Sequence, residues 1–241
     1  MTDTVPRTEQ TAERTGGLAQ RLNWLRAGVL GANDGIVSTA AVVVGVAGAT
    51  TQTGPIVTAG LAAVVGGAVS MALGEYVSVS SQRDSERSLV EAERTALTAD
   101  PDGARDRLAR SYEARGISPA TARQVATDLT ARDPLGALLR ARHNIDLDDV
   151  VSPWHAALAS AVSFLAGAVL PMLAILLPPE PARVPVTFLA TLAALALTGT
   201  VAAWIGGGSR ARAATRVVVG GALALAATFL LGSLLGTTGL V

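Results

Sequence analysis

The sequence predicts an all-α membrane protein: five transmembrane helices, with a cytoplasmic helical insert between the second and the third. Three observations predict it. Half of the 241 residues are hydrophobic, only 16% are charged and 3% aromatic, and the mean hydropathy is +0.43, too apolar and too rich in Gly and Ala for an ordinary soluble domain. Five apolar segments reach the roughly 20 residues that a helix needs to cross a hydrocarbon core about 30 Å thick. Most of the remaining charge is gathered in one polar stretch, about 82 to 150.

The apolar segments run approximately over 25 to 49, 57 to 80, 154 to 178, 184 to 208 and 213 to 236. Residues 1 to 23 lack the apolar core and cleavage site of a secretory signal, so the first segment reads as a retained helix. Orientation follows from arginine, the only basic residue type besides the two histidines, because positive residues near helix ends stay on the cytoplasmic side. Arg7, Arg14, Arg21 and Arg26 precede the first helix, and Arg83 and Arg87 follow the second. Arg210, Arg212 and Arg216 lie between the fourth and fifth, whereas the loop TTQTGP and the tail GTTGLV carry no charge. The N-terminus is thus expected inside and the C-terminus outside, with the cell's inner (plasma) membrane as the expected location. The chain divides into a cytoplasmic segment 1–24, spans 1 and 2 over 25–81, the insert 82–152, and spans 3 to 5 over 153–241.

No Gly or Pro interrupts residues 75 to 100, which predicts that the second helix continues straight into the insert. Asp100-Pro101-Asp102-Gly103 is a turn signal, ARDRLARSYEARG a helix ended by Gly116, and Ser118-Pro119 and Asp133-Pro134 each open a further helix with a capping residue and Pro at its first position. Glycines crowd spans 1 and 2, including the GxxxG pair Gly31 and Gly35, and predict close helix packing or a dimer contact. Pro171 is expected to kink the third span. The last three spans contain no acid and read as scaffold. Cysteine is absent, which excludes disulfides and thiolate chemistry, and a net charge of zero gives no reason to expect nucleic acid.

Two carboxylates stand inside the first two spans: Asp34 in RAGVLGANDGIVSTAAVVVG and Glu75 in GGAVSMALGEYVSVS. An acid at hydrocarbon depth is costly and usually marks an ion or substrate path. Asp34 lies eight residues beyond Arg26 and Glu75 eight before Arg83, so both sit roughly 12 Å into the membrane at 1.5 Å per residue. Met71 shares a face with Glu75 at i−4, Ser38 shares one with Asp34 at i+4, and Asn33 adjoins Asp34. Two carboxylates, a hydroxyl, a carboxamide and a thioether at one level form a seat for a divalent cation, and the thioether biases it toward Fe²⁺ or Mn²⁺ over Mg²⁺ or Ca²⁺. Because desolvation disfavours the charged form of an acid, exchange of metal for protons is a natural mechanism. The competing readings are structural: Asp34 bonded to backbone or Ser, Glu75 reaching the boundary, Met71 as packing. His143 and His155 have no second His at ligand spacing, which argues against a zinc site.

The runs LNWLRAGVLGANDGIVSTAAVVVGVAGA, AGLAAVVGGAVSMALGEYVSVSSQRDSER and SPWHAALASAVSFLAGAVLPM resemble the vacuolar iron transporter (VIT) family in its bacterial branch. The resemblance implies a homodimer whose pore is lined by helices 1 and 2, and proton-driven export of Fe²⁺ or Mn²⁺ from the cytoplasm, with Asp34 and Met71 on the path. Acids of plant relatives correspond to Ala63 and Ala27 here, while Glu75 replaces a glycine. In the insert, where relatives gather a metal site, Glu93 retains one glutamate, Ala96 replaces the next, Arg107 and Arg110 fall where acids are expected, and Leu139, Arg140 and His143 replace a Met pair and its glutamate.

The expected protein is therefore a metal transporter, not an enzyme, with no cofactor. Its partners are the transported Fe²⁺ or Mn²⁺, protons, the lipid bilayer and a second copy of itself. Asp34, Met71, Glu75, Asn33 and Ser38 form the intramembrane site, with Glu93 as a further metal candidate in the insert. A non-transporting metal sensor or partner-docking protein is the alternative, although such a protein would place its best ligands in the insert. A proton-coupled carrier of an organic solute would need a larger cavity than walls of Gly, Ala and Val suggest.

Overall fold

The computed structural model describes residues 7–147 and 152–238, with side chains from Gly28 onward. Its helices are α1 (Arg7–Ala49), α2 (Thr53–Ala99), α3 (Pro101–Glu113), α4 (Pro119–Thr130), α5 (Pro134–His143), α6 (Pro153–Leu176), α7 (Arg183–Ile205) and α8 (Arg210–Thr237), with a 3₁₀ turn at Glu180–Ala182. There is no strand among the described residues. Five of these helices are long and apolar enough to cross a membrane, in the order the hydropathy pattern predicts. Two lengths exceed or match expectation informatively. α1 begins at Arg7, well before the expected start at 25, because residues 7 to 24 contain no proline and their single Gly16-Gly17 pair does not stop the helix. α2 runs unbroken for 47 residues, as the absence of a breaker after Glu75 predicts. The arginines at 7, 14, 21 and 26 and Ala27 lie outside the described side chains.

The chain forms two compact units, one of residues 1–76 with 153–241 and one of residues 77–152. In the first, α1 is the central helix, and it approaches α6 and α8 at backbone distance. A methyl added at Gly35 would overlap the Phe164 backbone, with its carbonyl carbon at 2.9 Å and Ala168 N at 3.1 Å. At Gly167 it would overlap the carbonyl of Ala32, and at Gly232 that of Gly45. Small residues thus do in lipid what large apolar ones do in water, since tails are as apolar as Leu and only close packing rewards association. Large side chains point outward instead: Leu189 is 71% exposed, Leu223 66% and Leu158 65%, an arrangement tolerable only where hydrocarbon surrounds the bundle.

α2 joins this unit differently. Its contacts are side-chain tips: Ile56 with Val43 and Ile175, and Ala68 with Phe164 and Ala168. Tyr76 stacks obliquely on Trp154, with ring centroids 4.7 Å apart.

The second unit is small and its helices are capped as the sequence dictates. Asp100 and Asp133 accept from the amides of Gly103 and Gly136, each at 2.9 Å, and Ser118 accepts from Thr121 N at 3.4 Å, with Pro following each cap. Asp100 is therefore a helix cap rather than only a turn residue. α5 ends on Asn144, whose φ of 55° places it in the left-handed region. The core is Ala104, Leu108, Ala109, Ala126, Ala137, Leu138 and Ala141, with Leu97 of α2 packed against it.

Candidate metal path

Helical periodicity aligns two stripes that face one cavity. On α1 the lining residues are Leu30, Asp34, Ser38 and Val42, four apart; on α2 they are Ala63, Gly67, Met71 and Glu75, also four apart, with Ser70 and Gly74 beside them. α6 closes the back with Ser160 and Phe164. The cavity measures about 510 Å³, and Asp34, Ser70 and Gly74 on its rim are exposed, so it opens sideways from the protomer.

Four of the five intramembrane candidates meet here. Ser38 Oγ donates to Asp34 Oδ1 at 2.7 Å, which fixes one carboxylate oxygen. Met71 is half-buried against Phe164, Ala68 and Ala168, and Glu75 shares its face one turn away. Asn33 is the exception. It does not line the cavity; its Oδ1 accepts from Thr198 Oγ1 of α7 at 3.1 Å. One residue along a helix is a 100° rotation, so adjacency to Asp34 in sequence turns Asn33 toward the bundle.

The sequence offered no signal for Ser70, Ser160 or Phe164. Ser70 neighbours Met71 but carries no charge to mark it, and α6 reads as scaffold because it lacks acids. Scaffold it remains, but one face of it is also cavity wall.

In the insert, Glu93 is buried, with a side chain 7% exposed. Its Oε1 pairs with Arg142 Nη1 and lies 3.0 Å from His143 Nε2, both on α5. Its Oε2 is buried with no hydrogen-bond partner among the described residues. Glu93 thus ties α2 to α5 through Arg142 and His143, while Arg140 pairs with Asp133 and Asp146 and Leu139 is buried. Breaking a buried pair leaves an uncompensated charge. Arg142→Ala is accordingly expected to destabilise the insert by about 2 kcal/mol, read as faster amide hydrogen exchange in α5 with the exchange of α6 to α8 unchanged. Among the described residues no three His, Cys, Asp or Glu side chains converge to hold a metal.

The family model described as the VIT family matches residues 25–233. A protein of Acanthamoeba castellanii named vacuolar iron transporter is 39% identical over 218 residues, covering 88% of this chain and 78% of its own. Vacuolar iron transporter homolog 1 of Oryza sativa subsp. japonica is 36% identical over 220 residues, covering 91% and 77%. Vacuolar iron transporter homolog 2 of Arabidopsis thaliana is 34% identical over 223 residues, covering 92% and 89%. The matched region takes in the first four spans, most of the fifth, the insert and every residue of the cavity, and on that breadth the chain belongs to the VIT family.

Proposed function

We propose that this chain transports a divalent transition metal, Fe²⁺ or Mn²⁺, across a membrane, exporting it from the cytoplasm in exchange for protons. The observation that carries this reading is the cavity between α1 and α2: a carboxylate held by Ser38, a second carboxylate and a thioether facing one space inside helices built to cross a membrane. The relatives' names, vacuolar iron transporter and its homologs, favour iron as cargo. Carboxylate and thioether together suit a borderline cation such as Fe²⁺ or Mn²⁺, and carboxylates are also the groups that can carry protons back. Asp34 is the primary ligand and proton carrier, Met71 the soft ligand, Glu75 the cytoplasmic-side acid. Ser38 positions Asp34. The membrane in this reading is the plasma membrane, and arginine placement supports an N-terminus on the cytoplasmic side. Glu93, already engaged by Arg142 and His143, serves the insert as a structural anion.

The working form is a homodimer. α2 turns Leu61, Val65, Val69 and Leu73 outward, each 53% exposed or more, beside the small residues Ala62, Gly66, Ser70 and Gly74, also exposed and also four apart. A methyl built on Gly66 or Gly74 meets no atom of the protomer within 4 Å. Small residues at this spacing permit backbone approach between membrane helices, and a second copy seated there closes a cavity whose acids otherwise face lipid. Gly66→Leu should then shift the particle in detergent or nanodiscs from dimer to monomer mass by light scattering; an unchanged mass would remove α2 from the interface.

Uptake into proteoliposomes, with Fe²⁺ and Mn²⁺ and with or without a pH gradient, tests the whole reading. Saturable uptake that accelerates when protons can move in the opposite direction is expected. Saturable uptake indifferent to the gradient would overturn the antiport while sparing metal transport.

A further inference from the structure

Phe164 touches both helices that carry the cavity's ligands, and it touches them in different ways. Toward α1 the contact is backbone on backbone. Gly35, next to Asp34, leaves no room for a methyl against the Phe164 carbonyl, so the distance from α6 to the Asp34 turn is fixed by the main chain. Toward α2 the contact is the tip of the ring. A methyl at Gly67, one turn before Met71, would overlap Cζ and would lie 2.7 Å from Cε1 and 3.0 Å from Cε2. The ring is therefore seated in the notch that Gly67 leaves. Phe164 is 1% exposed, Met71 packs against the same cluster, and both Gly67 and Phe164 line the cavity.

A rigid ring that projects from α6, whose backbone abuts α1, into a notch on α2 acts as a spacer. We infer that Phe164, seated in the Gly67 notch, sets the separation between Asp34 on α1 and Met71 and Glu75 on α2, and so selects the transported cation by size. The ring is a positioning group and does not itself ligate the ion. The inference rests on the proposed metal transport and adds what tunes it. Selection among divalent metals comes from geometry more than from raw affinity, so a site made of two half-sets of ligands on separate helices is sensitive to whatever holds those helices apart. The other tip contacts of α2, a methyl built on Gly60 at 2.6 Å from Met172 Sδ and 2.8 Å from Val43 Cγ1, and Ile56 on Val43 and Ile175, lie two or more turns from Gly67, whereas the Phe164 ring sits one turn from Met71.

Two substitutions push in opposite directions. Gly67→Ala thickens the contact and drives α2 outward, favouring the larger Cd²⁺ over the smaller Zn²⁺. Phe164→Leu thins it and lets α2 settle inward, favouring Zn²⁺. The double variant Gly67→Ala/Phe164→Leu restores the fit. In proteoliposomes, the Cd²⁺ to Zn²⁺ ratio of initial rates is expected to rise about fivefold in the first and fall about fivefold in the second, a coupling typical of neighbours in contact. It should return to within about twofold of the parent in the double variant. If Gly67→Ala fails to reconstitute, the Phe164→Leu shift and its reversal in the double variant still decide the matter. A uniform loss of rate with an unchanged ratio, or shifts in the same direction, overturns the spacer role and leaves metal transport standing. No saturable uptake of any divalent ion by the parent overturns both.

Discussion

Asp34→Asn is expected to cut saturable metal transport by about a hundredfold or more, the loss of a metal-binding charge exceeding that of an outer partner, while leaving the fold intact or slightly more stable. The two halves of this expectation have separate origins. The amide oxygen of asparagine can accept from Ser38 Oγ as Asp34 Oδ1 does at 2.7 Å, so the local geometry survives. Removing a charge from membrane depth relieves a desolvation cost, so thermal stability in detergent should hold or rise. A purely structural acid behaves in the opposite way: its replacement lowers stability and transport together. Ser38→Ala separates the roles further. It removes one hydrogen bond, worth about 1 kcal/mol, and should lower the transport rate by roughly fivefold without abolishing it. A normal rate in Asp34→Asn vesicles would sink the assignment of Asp34 as the ligand.

What could be read from the sequence followed from period and composition, and what could not depended on contacts between elements distant in the chain. Asp34 and Ser38, and Met71 and Glu75, pair along their own helices at four-residue spacing, so their shared faces were legible. The caps of α4 and α5 were legible because Ser or Asp followed by Pro acts locally, whereas Asp100, the cap of α3, read only as part of a turn. Asn33 was misplaced because adjacency in sequence stood in for direction, and only the packing of α7 reveals Thr198 as its partner. Glu93 illustrates the same limit: its environment is made by Arg142 and His143, some fifty residues away. Phe164 was invisible for a chemical reason. A phenylalanine in an apolar span carries no polar signature, and its importance lies in two glycines, Gly35 and Gly67, on two other helices.

Those glycines divide into groups with opposite expected behaviour, which makes them the sharpest test of how the bundle is held. Gly35→Ala, Gly167→Ala and Gly232→Ala each place a methyl against a backbone carbonyl, of Phe164, Ala32 and Gly45 respectively. A carbonyl cannot swing aside as a side-chain tip can, so one helix must retreat along its length, and the dispersion contacts of the whole seam weaken with it. Each substitution should cost about 3 kcal/mol, enough to lower markedly the temperature at which the protein leaves the monodisperse peak in detergent. Gly220→Ala on α8 is the counterpart. An added methyl there meets nothing within 4 Å, and helix propensity alone predicts stabilisation of about 0.5–1 kcal/mol. Glycine content by itself predicts one sign for all four positions; backbone contact predicts three losses and one gain. Because α1 forms one side of the contact at Gly35, Gly167 and Gly232 alike, the three losses would also identify it as the helix on which α6 and α8 are assembled, with Asp34 carried on the most rigidly held element of the path.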